Sequence, residues 1–378
     1  QEEGVFYNAR DVAVMRGSFA SCLVVLVSAT PSIETHHNVN VGRYDKLVLG
    51  QRFGGSSLPA IEAVDMRRNR PVPGRWISPN LDNAVRETIK EGCQALLFLN
   101  RRGYAPLTLC GSCGYRVECQ FCSAWLVEHR DRPMLCCHHC GHEEERPECC
   151  PKCGEAESMV ACGPGVERLA EEVSKFIPEA RVRLMTSDTI TSAREAGALV
   201  QEMLAGGIDV LIGTQMVTKG FHFPLLTLVG VVDADLGLSG GNLRAGERSM
   251  QLLSQVAGRA GREKKSGRAI LQTYLPEHPV MDALIRGDRD TFITEELEAR
   301  REAKMPPFAR LASLIISSAS RKLASDTARA LAKKVPDIAG LEVFGPAPAP
   351  ISLLRGKYRF RLLVRAPRKF RLQKVLRY

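Results

Sequence analysis

Eight of the 13 cysteines form four pairs with two residues between the partners, and all eight lie between residues 110 and 153. The pairs are Cys110/Cys113, Cys119/Cys122, Cys137/Cys140 and Cys150/Cys153. Thiolates presented in pairs on tight turns are common ligands of structural Zn²⁺, which takes four of them in a tetrahedron. The segment therefore predicts two structural zinc sites. An iron–sulfur cluster is the main alternative, but the usual run of closely spaced cysteines is missing.

The four pairs can be combined around two ions in a sequential or a nested order. Cys113 and Cys119 are only six positions apart, which is short for two pairs that face the same ion. This spacing favours the nested order, in which the outermost two pairs bind one ion and the inner two bind the other. Sequential combination stays open, as do alternative ligands from neighbouring side chains: Cys136, Cys149, His138, His139 and His142.

The net charge of +10 is concentrated at the C-terminal end, since residues 303–378 hold 17 basic and 3 acidic side chains. A basic end on a near-neutral body indicates a polyanionic partner, most often nucleic acid, and a solvated surface is the plain alternative. The segment between Cys110 and Cys153 instead holds seven acidic and five basic residues. We expect it to organise its lobe or contact protein, because an acidic module binds phosphate poorly. No apolar run approaches the ~20 residues that cross a bilayer, so we expect no membrane partner.

Short apolar strands alternate with helices, which predicts an α/β fold with a mainly parallel sheet. The predicted strands are Cys22–Val27, Gln94–Leu99, Arg181–Leu184, Ile208–Ile212, Leu225–Val232 and Ala269–Thr273, the first of them buried on both faces. The predicted helices are 79–91, Gly165–Phe176, Ser192–Leu204 and Glu247–Gly258. After residue 305 the pattern predicts a small α+β domain, with strands Leu311–Ser317, Leu341–Phe344 and Arg359–Val364, helix Leu323–Lys334 and a stiff connector, Ala347–Pro350.

Two further segments follow apolar runs, at the strand ends where open α/β sheets bind their ligands: Ser28–Ser32 (SATPS) and Ile212–Gly220 (IGTQMVTKG). A third segment, QVAGRAGR, spaces Gln255, Arg259 and Arg262 at i, i+4 and i+7. We expect one helical face to present all three side chains. A guanidinium supplied across a cleft can stabilise the γ-phosphate transition state as an arginine finger.

With these segments in this order, the sequence resembles the primosomal protein N′ (PriA) family of replication-restart helicases. The resemblance rests on SATPS, LLFLNRRGYAP (Leu96–Pro106), IGTQMVTKGFHFP (Ile212–Pro224), QVAGRAGR and the eight-cysteine insertion. It implies RecA-like helicase lobes of the P-loop NTPase type, with an inserted two-zinc module and a small α+β C-terminal domain. The implied domains are the end of the first lobe (1–43), the second lobe (44–109 and 156–302), the zinc insertion (110–155) and the basic C-terminal domain (303–378).

The resemblance also implies an activity and site residues. The activity is ATP-dependent 3′–5′ unwinding of DNA at stalled forks and initiation of primosome assembly, in the bacterial cytoplasm at the nucleoid. The implied partners are forked DNA, primosome proteins and single-strand-binding proteins. Arginine-finger candidates are Arg259 and Arg262, and the ATP contacts are Gln255 and Gly220. The implied DNA contacts are Thr214, Lys219, Arg102 and Thr30.

The sequence departs from the family pattern in its nucleotide-binding motifs. The G-x-x-x-x-G-K-[ST] phosphate loop and the Asp-Glu-Glu-His segment for Mg²⁺ are absent from these 378 residues, and the resemblance places both before Gln1. Since that loop cradles the phosphates, we expect ATP and Mg²⁺ to bind only together with the upstream part, and this chain alone to be inactive. Val166 and the Ser239–Asn242 turn also differ from the pattern. A non-catalytic zinc adaptor and another zinc-bearing translocase are the alternative functions.

Overall fold

The computed structural model describes residues 7–50, 58–72, 75–100, 107–117, 119–120, 126–129, 132–136, 142–162, 166–186, 189–218, 221–238, 243–261, 266–336, 338–354 and 356–376. The chain divides into two compact units, Gln1–Lys46 and Leu47–Tyr378. Within the described ranges, no helix is both long enough and apolar enough to cross a membrane.

The strands are β1 (Ala60–Asp65), β2 (Gln94–Phe98), β3 (Leu107–Cys110), β4 (Val127–His129), β5 (Arg132–Cys136), β6 (Glu143–Glu145), β7 (Met159–Cys162), β8 (Val182–Met185), β9 (Val210–Gly213), β10 (Leu226–Val231), β11 (Arg268–Thr273), β12 (Ala309–Ser318), β13 (Glu342–Leu354) and β14 (Lys357–Pro367). The helices are α1 (Ala9–Ala20), α2 (Ile33–Asn40), α3 (Pro79–Lys90), α4 (Val166–Phe176), α5 (Ala193–Leu204), α6 (Ala245–Ala257), α7 (Pro279–Arg286), α8 (Arg289–Glu302), α9 (Arg321–Lys334) and α10 (Leu372–Val375).

The first unit contains α1 and α2, and the strand predicted over Cys22–Val27 is wrong. These residues form no strand, and Leu23 and Val27 are 89% and 88% exposed. A β-strand needs a neighbour for its backbone hydrogen bonds, and none of the described segments pairs with this one. The apolar composition was therefore an insufficient signal by itself.

The second unit is built on a six-stranded sheet in the order β1-β11-β10-β2-β9-β8, with every neighbouring pair parallel. Its core includes Leu97 and Ile212 from the strands and Leu81 and Leu169 from α3 and α4. Local signals place the helices: the Ser78 hydroxyl caps α3, and Pro79 occupies its first turn. The predicted α/β fold with a parallel sheet is confirmed.

A five-stranded antiparallel sheet, in the order β6-β5-β4-β3-β7, interrupts the α/β pattern between β2 and α4. It takes in residues on both sides of the predicted 110–155 insertion, since β3 begins at Leu107 and β7 ends at Cys162. The first and last strands of the insertion, β3 and β7, pair with each other. The zinc segment is therefore a closed module whose entry and exit lie side by side.

The C-terminal sheet has the order β12-β14-β13, and α9 packs against it. The stiff connector predicted at Ala347–Pro350 is wrong, because these residues belong to β13. This strand lies at the edge of the sheet, where proline is tolerated because its outer side needs no N–H donor. The prolines therefore did not end the strand.

Candidate functional site

The four outer cysteines form one cluster. The Sγ atoms of Cys110, Cys113, Cys150 and Cys153 all lie within 4.8 Å of one another, with 3.6 Å between Cys110 and Cys153 and 3.7 Å between Cys113 and Cys150. Tetrahedral zinc with ~2.3 Å bonds to sulfur requires sulfur atoms ~3.8 Å apart. The geometry therefore fits a structural zinc ion held by the outer two pairs, as in the nested order.

Two similar backbone turns present these thiols. In the first, the Ser112 N–H donates to Cys110 Sγ over 3.3 Å, and the Gly114 N–H donates to the Cys110 carbonyl over 2.8 Å. The second turn repeats both contacts, at 3.4 Å from Lys152 N–H to Cys150 Sγ and at 2.9 Å from Gly154 N–H to the Cys150 carbonyl. N–H groups aimed at sulfur stabilise thiolate ligands. We call these turns the first and second knuckle.

The acidity of the thiols also suits a cation. Burial raises the pKa of Cys110, but hydrogen bonds with the Ser158 side chain and with backbone N–H groups outweigh burial and lower this pKa to about 6. Burial raises the pKa of Cys113 to about 12. Zinc binds thiolates, so each of the four thiols would have to lose its proton. A divalent ion would supply the compensating charge, and its binding would release protons.

Of the inner four cysteines, the described residues include only Cys119, which is buried in the small core of the module. The other three predicted ligands lie outside the described residues: Cys122, Cys137 and Cys140.

The first knuckle packs against the carboxyl edge of the parallel sheet. A Cβ on Gly114 would lie 2.5 Å from Tyr274 Cδ1, at the end of β11. The Arg116 guanidinium contacts Asp233 at 3.1 Å and Asp235 at 3.3 Å, and both carboxylates follow β10. Both Asp235 and the Arg116 side chain are buried, with exposures of 0% and 5%. Arg116 therefore joins the zinc module to the sheet through buried charges.

Asp235 lies at the centre of this contact. Its carboxylate accepts hydrogen bonds from the Thr273 hydroxyl and the Tyr274 N–H. Burial raises its pKa to about 6, although Arg116 opposes the shift. The sequence-based predictions missed Arg116, Asp233 and Asp235. The available signal was a pair of aspartates two positions apart, directly after the buried β10.

The matched glycines of the two knuckles give a test of this packing. Gly114 and Gly154 both have left-handed backbone, with φ of +72° and +75°, but a Cβ on Gly154 would meet nothing within 4 Å. Alanine at either position lowers the free energy of unfolding by about 1–2 kcal/mol, because left-handed backbone is unfavourable for a residue with a Cβ. Only Gly114→Ala also displaces Tyr274, and we expect its free energy of unfolding to fall by about 1–3 kcal/mol more than that of Gly154→Ala. Denaturant titration measures both losses, and equal losses would contradict the packing.

The strands β2, β9 and β10 bring polar groups together at the same carboxyl edge. Thr214 follows β9, and Gln215 begins a short 3₁₀ turn over Gln215–Thr218. The Gln215 Nε2 donates to Asn100 Oδ1 over 3.4 Å, and Asn100 Nδ2 donates to the Leu236 carbonyl over 3.1 Å. Asn100 thus links the segments after three neighbouring strands.

Four predicted contact residues remain to be located in the structure. Lys219, Gly220 and Arg102 lie outside the described residues. Thr30 is half-buried in the first unit, where its N–H donates to Ser28 Oγ.

The prediction that the QVAGRAGR segment continues as one helical face is wrong. α6 ends at Ala257, with Gly258 as its C-cap. The chain then turns away from the helix, and the Gly261 N–H donates to the Leu226 carbonyl. Gln255 is exposed on the last turn, while Arg259 follows the helix and donates from Nη1 to the Phe221 carbonyl over 2.8 Å. Arg262 lies outside the described residues. Gly258, which has a low helix propensity, ends the helix before Arg259. Arg259 therefore does not continue the helical face that includes Gln255.

The family models and the curated relatives that match this chain agree on one family. The model of the primosomal protein N C-terminal domain matches residues 301–378, and that of the PriA DNA helicase Cys-rich region matches residues 119–144. The replication restart protein PriA of Rickettsia conorii is 45% identical over all of this chain, which spans 58% of that protein. PriA of Bacillus subtilis is 38% identical, again over all of this chain and over 47% of its own length. Among solved structures, RecG bound to a three-way DNA junction aligns with 73% of this chain and 27% of its own, at 16% identity and a TM-score of 0.38.

Proposed function

The chain belongs to the PriA family of replication restart proteins. We propose that it supplies the end of the first motor lobe, the second motor lobe, the zinc module and the C-terminal domain of a 3′–5′ DNA helicase. The chain spans about half the length of the relatives described above. The proposed activity is therefore that of the whole protein: ATP-driven unwinding at stalled forks and initiation of primosome assembly. Its proposed partners are forked DNA, primosome proteins and single-strand-binding proteins, in the cytoplasm at the nucleoid.

The carboxyl edge of the parallel sheet carries this proposal. Asn100 joins the segment after β9 to the segment after β10, at the edge where open α/β sheets bind their ligands. We propose that DNA contacts this edge through Thr214, with Lys219 and Arg102 as further contacts. Thr30, in the first unit, is proposed as a separate DNA contact. On the nucleotide side, we propose contacts from Gln255 and Gly220 and arginine fingers from Arg259 and Arg262.

We propose two structural zinc ions. The outer ion would be held by Cys110, Cys113, Cys150 and Cys153, whose sulfur atoms all lie within 4.8 Å of one another. The inner ion would be held by Cys119, Cys122, Cys137 and Cys140. The proposed role of both ions is to fix the module, whose acidic character disfavours a role in binding phosphate. ATP and Mg²⁺ would bind only when the upstream phosphate loop is present.

Strand separation on tailed duplexes tests the motor function. The intact protein, containing the upstream phosphate loop, is incubated with ATP and a duplex bearing either a 3′ or a 5′ single-stranded tail. We expect unwinding of the 3′-tailed duplex and none of the 5′-tailed one, with fluorescence dequenching as the readout. Equal unwinding of both, or of neither, would contradict the proposed activity.

One contact favours a second candidate, the non-catalytic zinc adaptor. The Arg259 guanidinium donates to the Phe221 carbonyl, which is the structural role that an adaptor predicts for this side chain. In the intact protein, an adaptor predicts that Arg259→Ala lowers stability without changing the ATP response. A motor predicts that Arg259→Ala lowers the rate of ATP turnover even at temperatures where the variant is still folded.

The C-terminal sheet offers a basic surface for DNA. Alternate residues of β14 are buried, namely Leu362, Val364 and Ala366, so the intervening positions lie on the opposite face of the strand. This face includes Lys357 and Arg361. Arg365 also belongs to it, but its guanidinium is paired with Glu342.

We expect DNA affinity of the chain to fall steeply with salt, because each phosphate contact releases counterions. Replacing Lys357 and Arg361 together by Gln should reduce the slope of log K against log salt by about 0.7–0.9 for each phosphate that is no longer neutralised. The matched control removes the same charge from α9, through Lys322→Gln and Lys333→Gln, which are exposed. Fluorescence anisotropy between about 50 and 200 mM salt provides the slopes. Equal slopes in all three proteins would rule out phosphate contact at β14.

A further inference from the structure

The two knuckles differ at one equivalent position. Arg116 and Ala156 both lie three residues after the last cysteine of their knuckle. Each forms an isolated β-bridge with the residue before the first cysteine, Leu109 with Arg116 and Cys149 with Ala156. Arg116 is buried and Ala156 is exposed. Because the second knuckle has the same backbone with a methyl group at this position, the arginine side chain is not needed to build the knuckle.

Burial of this arginine with two carboxylates also demands an explanation other than stability. Arg116, Asp233 and Asp235 are all buried, and removing three charges from water carries a large desolvation penalty. A buried ion pair is weak evidence of net stabilisation, and an apolar replacement of the group is often no less stable. What such a group does provide is a fixed geometry, since each partner is satisfied in only one arrangement.

The geometry fixed here is that of the loop after β10, Asp233–Leu238. One oxygen of Asp233 faces Arg116 and also accepts the backbone N–H groups of Asp235 and Leu236, at 3.1 Å and 3.2 Å. The Leu236 carbonyl then accepts from Asn100, which also contacts Gln215. A continuous series of polar contacts therefore runs from the first knuckle to the residue beside Thr214.

We propose that Arg116 is a positioning residue that couples metal binding at the outer cysteine cluster to the conformation of the Asp233–Leu238 loop. With the ion bound, the first knuckle is held in place and Arg116 fixes Asp233 and Asp235. Without the ion, the knuckle loses its tetrahedral constraint and Arg116 no longer has a fixed position, so the loop opens. The consequence for DNA rests on the proposed function, but the coupling itself does not.

Hydrogen exchange of the 378-residue chain tests the coupling without ATP or DNA. The outer site is disrupted by Cys153→Ser, at an exposed cysteine of the second knuckle. Arg116 is removed in the double variant Arg116→Met/Asp235→Asn, which removes two of the three buried charges. The third, the Asp233 carboxylate, keeps its hydrogen bonds from the Asp235 and Leu236 N–H groups. Lys152→Met is the matched control, because it removes an exposed cation from the second knuckle. Bound zinc is measured in every protein.

We expect amide exchange over residues 233–238 to rise at least tenfold in Cys153→Ser, with loss of one zinc ion. The double variant should keep all its zinc and show the same rise, while Lys152→Met should match the parent. Adding Cys153→Ser to the double variant should change loop exchange less than twofold, because the metal acts on the loop through Arg116. Exchange of β2 and β9 should be unchanged in the double variant.

Three results would overturn the coupling: a loop in the double variant that exchanges as slowly as in the parent, additive effects of the metal and arginine changes, or a parallel rise in β2 and β9. The last would show a general loss of stability. DNA affinity of the same proteins is a separate measurement. If the loop responds as expected and DNA affinity does not, the coupling stands and the proposed DNA contact at Thr214 fails.

Discussion

Cys150→Ser is expected to remove one zinc ion per chain and to unfold much of the antiparallel module. Cys150 is a buried member of the four-thiol cluster, and a zinc ion held by three thiolates and a hydroxyl is bound far more weakly. Structural zinc sites contribute apparent binding free energies of about 10–16 kcal/mol in small zinc peptides, which is folding free energy for the module. Within the described residues, the module has a small apolar core of its own, which includes Val117, Leu126 and Leu135. We therefore expect the module to depend on a bound metal ion for its stability.

Zinc analysis and thermal denaturation check this expectation, and the sequence provides a matched control one residue away. Cys149 is exposed and lies outside the cluster, so Cys149→Ser should keep the zinc content and the melting temperature of the parent. If Cys149→Ser loses as much metal as Cys150→Ser, the assignment of the ligands is wrong. If neither variant loses metal, the four thiols are not a zinc site.

The second large effect concerns ATP. The 378-residue chain alone should hydrolyse ATP at the background rate with or without DNA, because it contains no G-x-x-x-x-G-K-[ST] loop to cradle the phosphates. When the segment carrying that loop is joined to it, DNA-stimulated turnover should appear. In that joined protein, Arg262→Ala should lower kcat by about 10³–10⁵, the usual contribution of an arginine finger.

Arg268→Ala serves as the control for the loss of an arginine on the same stretch of chain, since Arg268 is exposed at the start of β11. It should leave kcat within about twofold of the parent, as expected for the loss of an exposed charge. Turnover by the 378-residue chain alone that Arg262→Ala abolishes would contradict the requirement for the upstream loop. Turnover in the joined protein that is unaffected by Arg262→Ala would exclude the finger role.

Local signals in the sequence predicted most of the second unit. Ser192 and Glu195 form a capping box at the start of α5, and Gly92, with φ of +66°, follows the end of α3. Such signals act within one turn of the chain and survive without tertiary context. The pattern missed β1, the five strands β3–β7 and the helices α7, α8 and α10. It also placed a strand at Cys22–Val27, where none of the described residues provides a partner. Pairing between distant segments is not written in local composition.

The sequence alone determined which cysteines form pairs and where most strands and helices of the parallel-sheet unit alternate. Both are short-range properties, because they depend on two-residue spacing and on local periodicity. The union of Arg116 with Asp233 and Asp235 was decided only by the tertiary structure, since 117 and 119 residues separate the partners. The position at which α6 ends, before Arg259, was also decided by the tertiary structure. In each case the deciding force is the packing of one element on another: the zinc module on the edge of the parallel sheet, and the Gly261 backbone on β10.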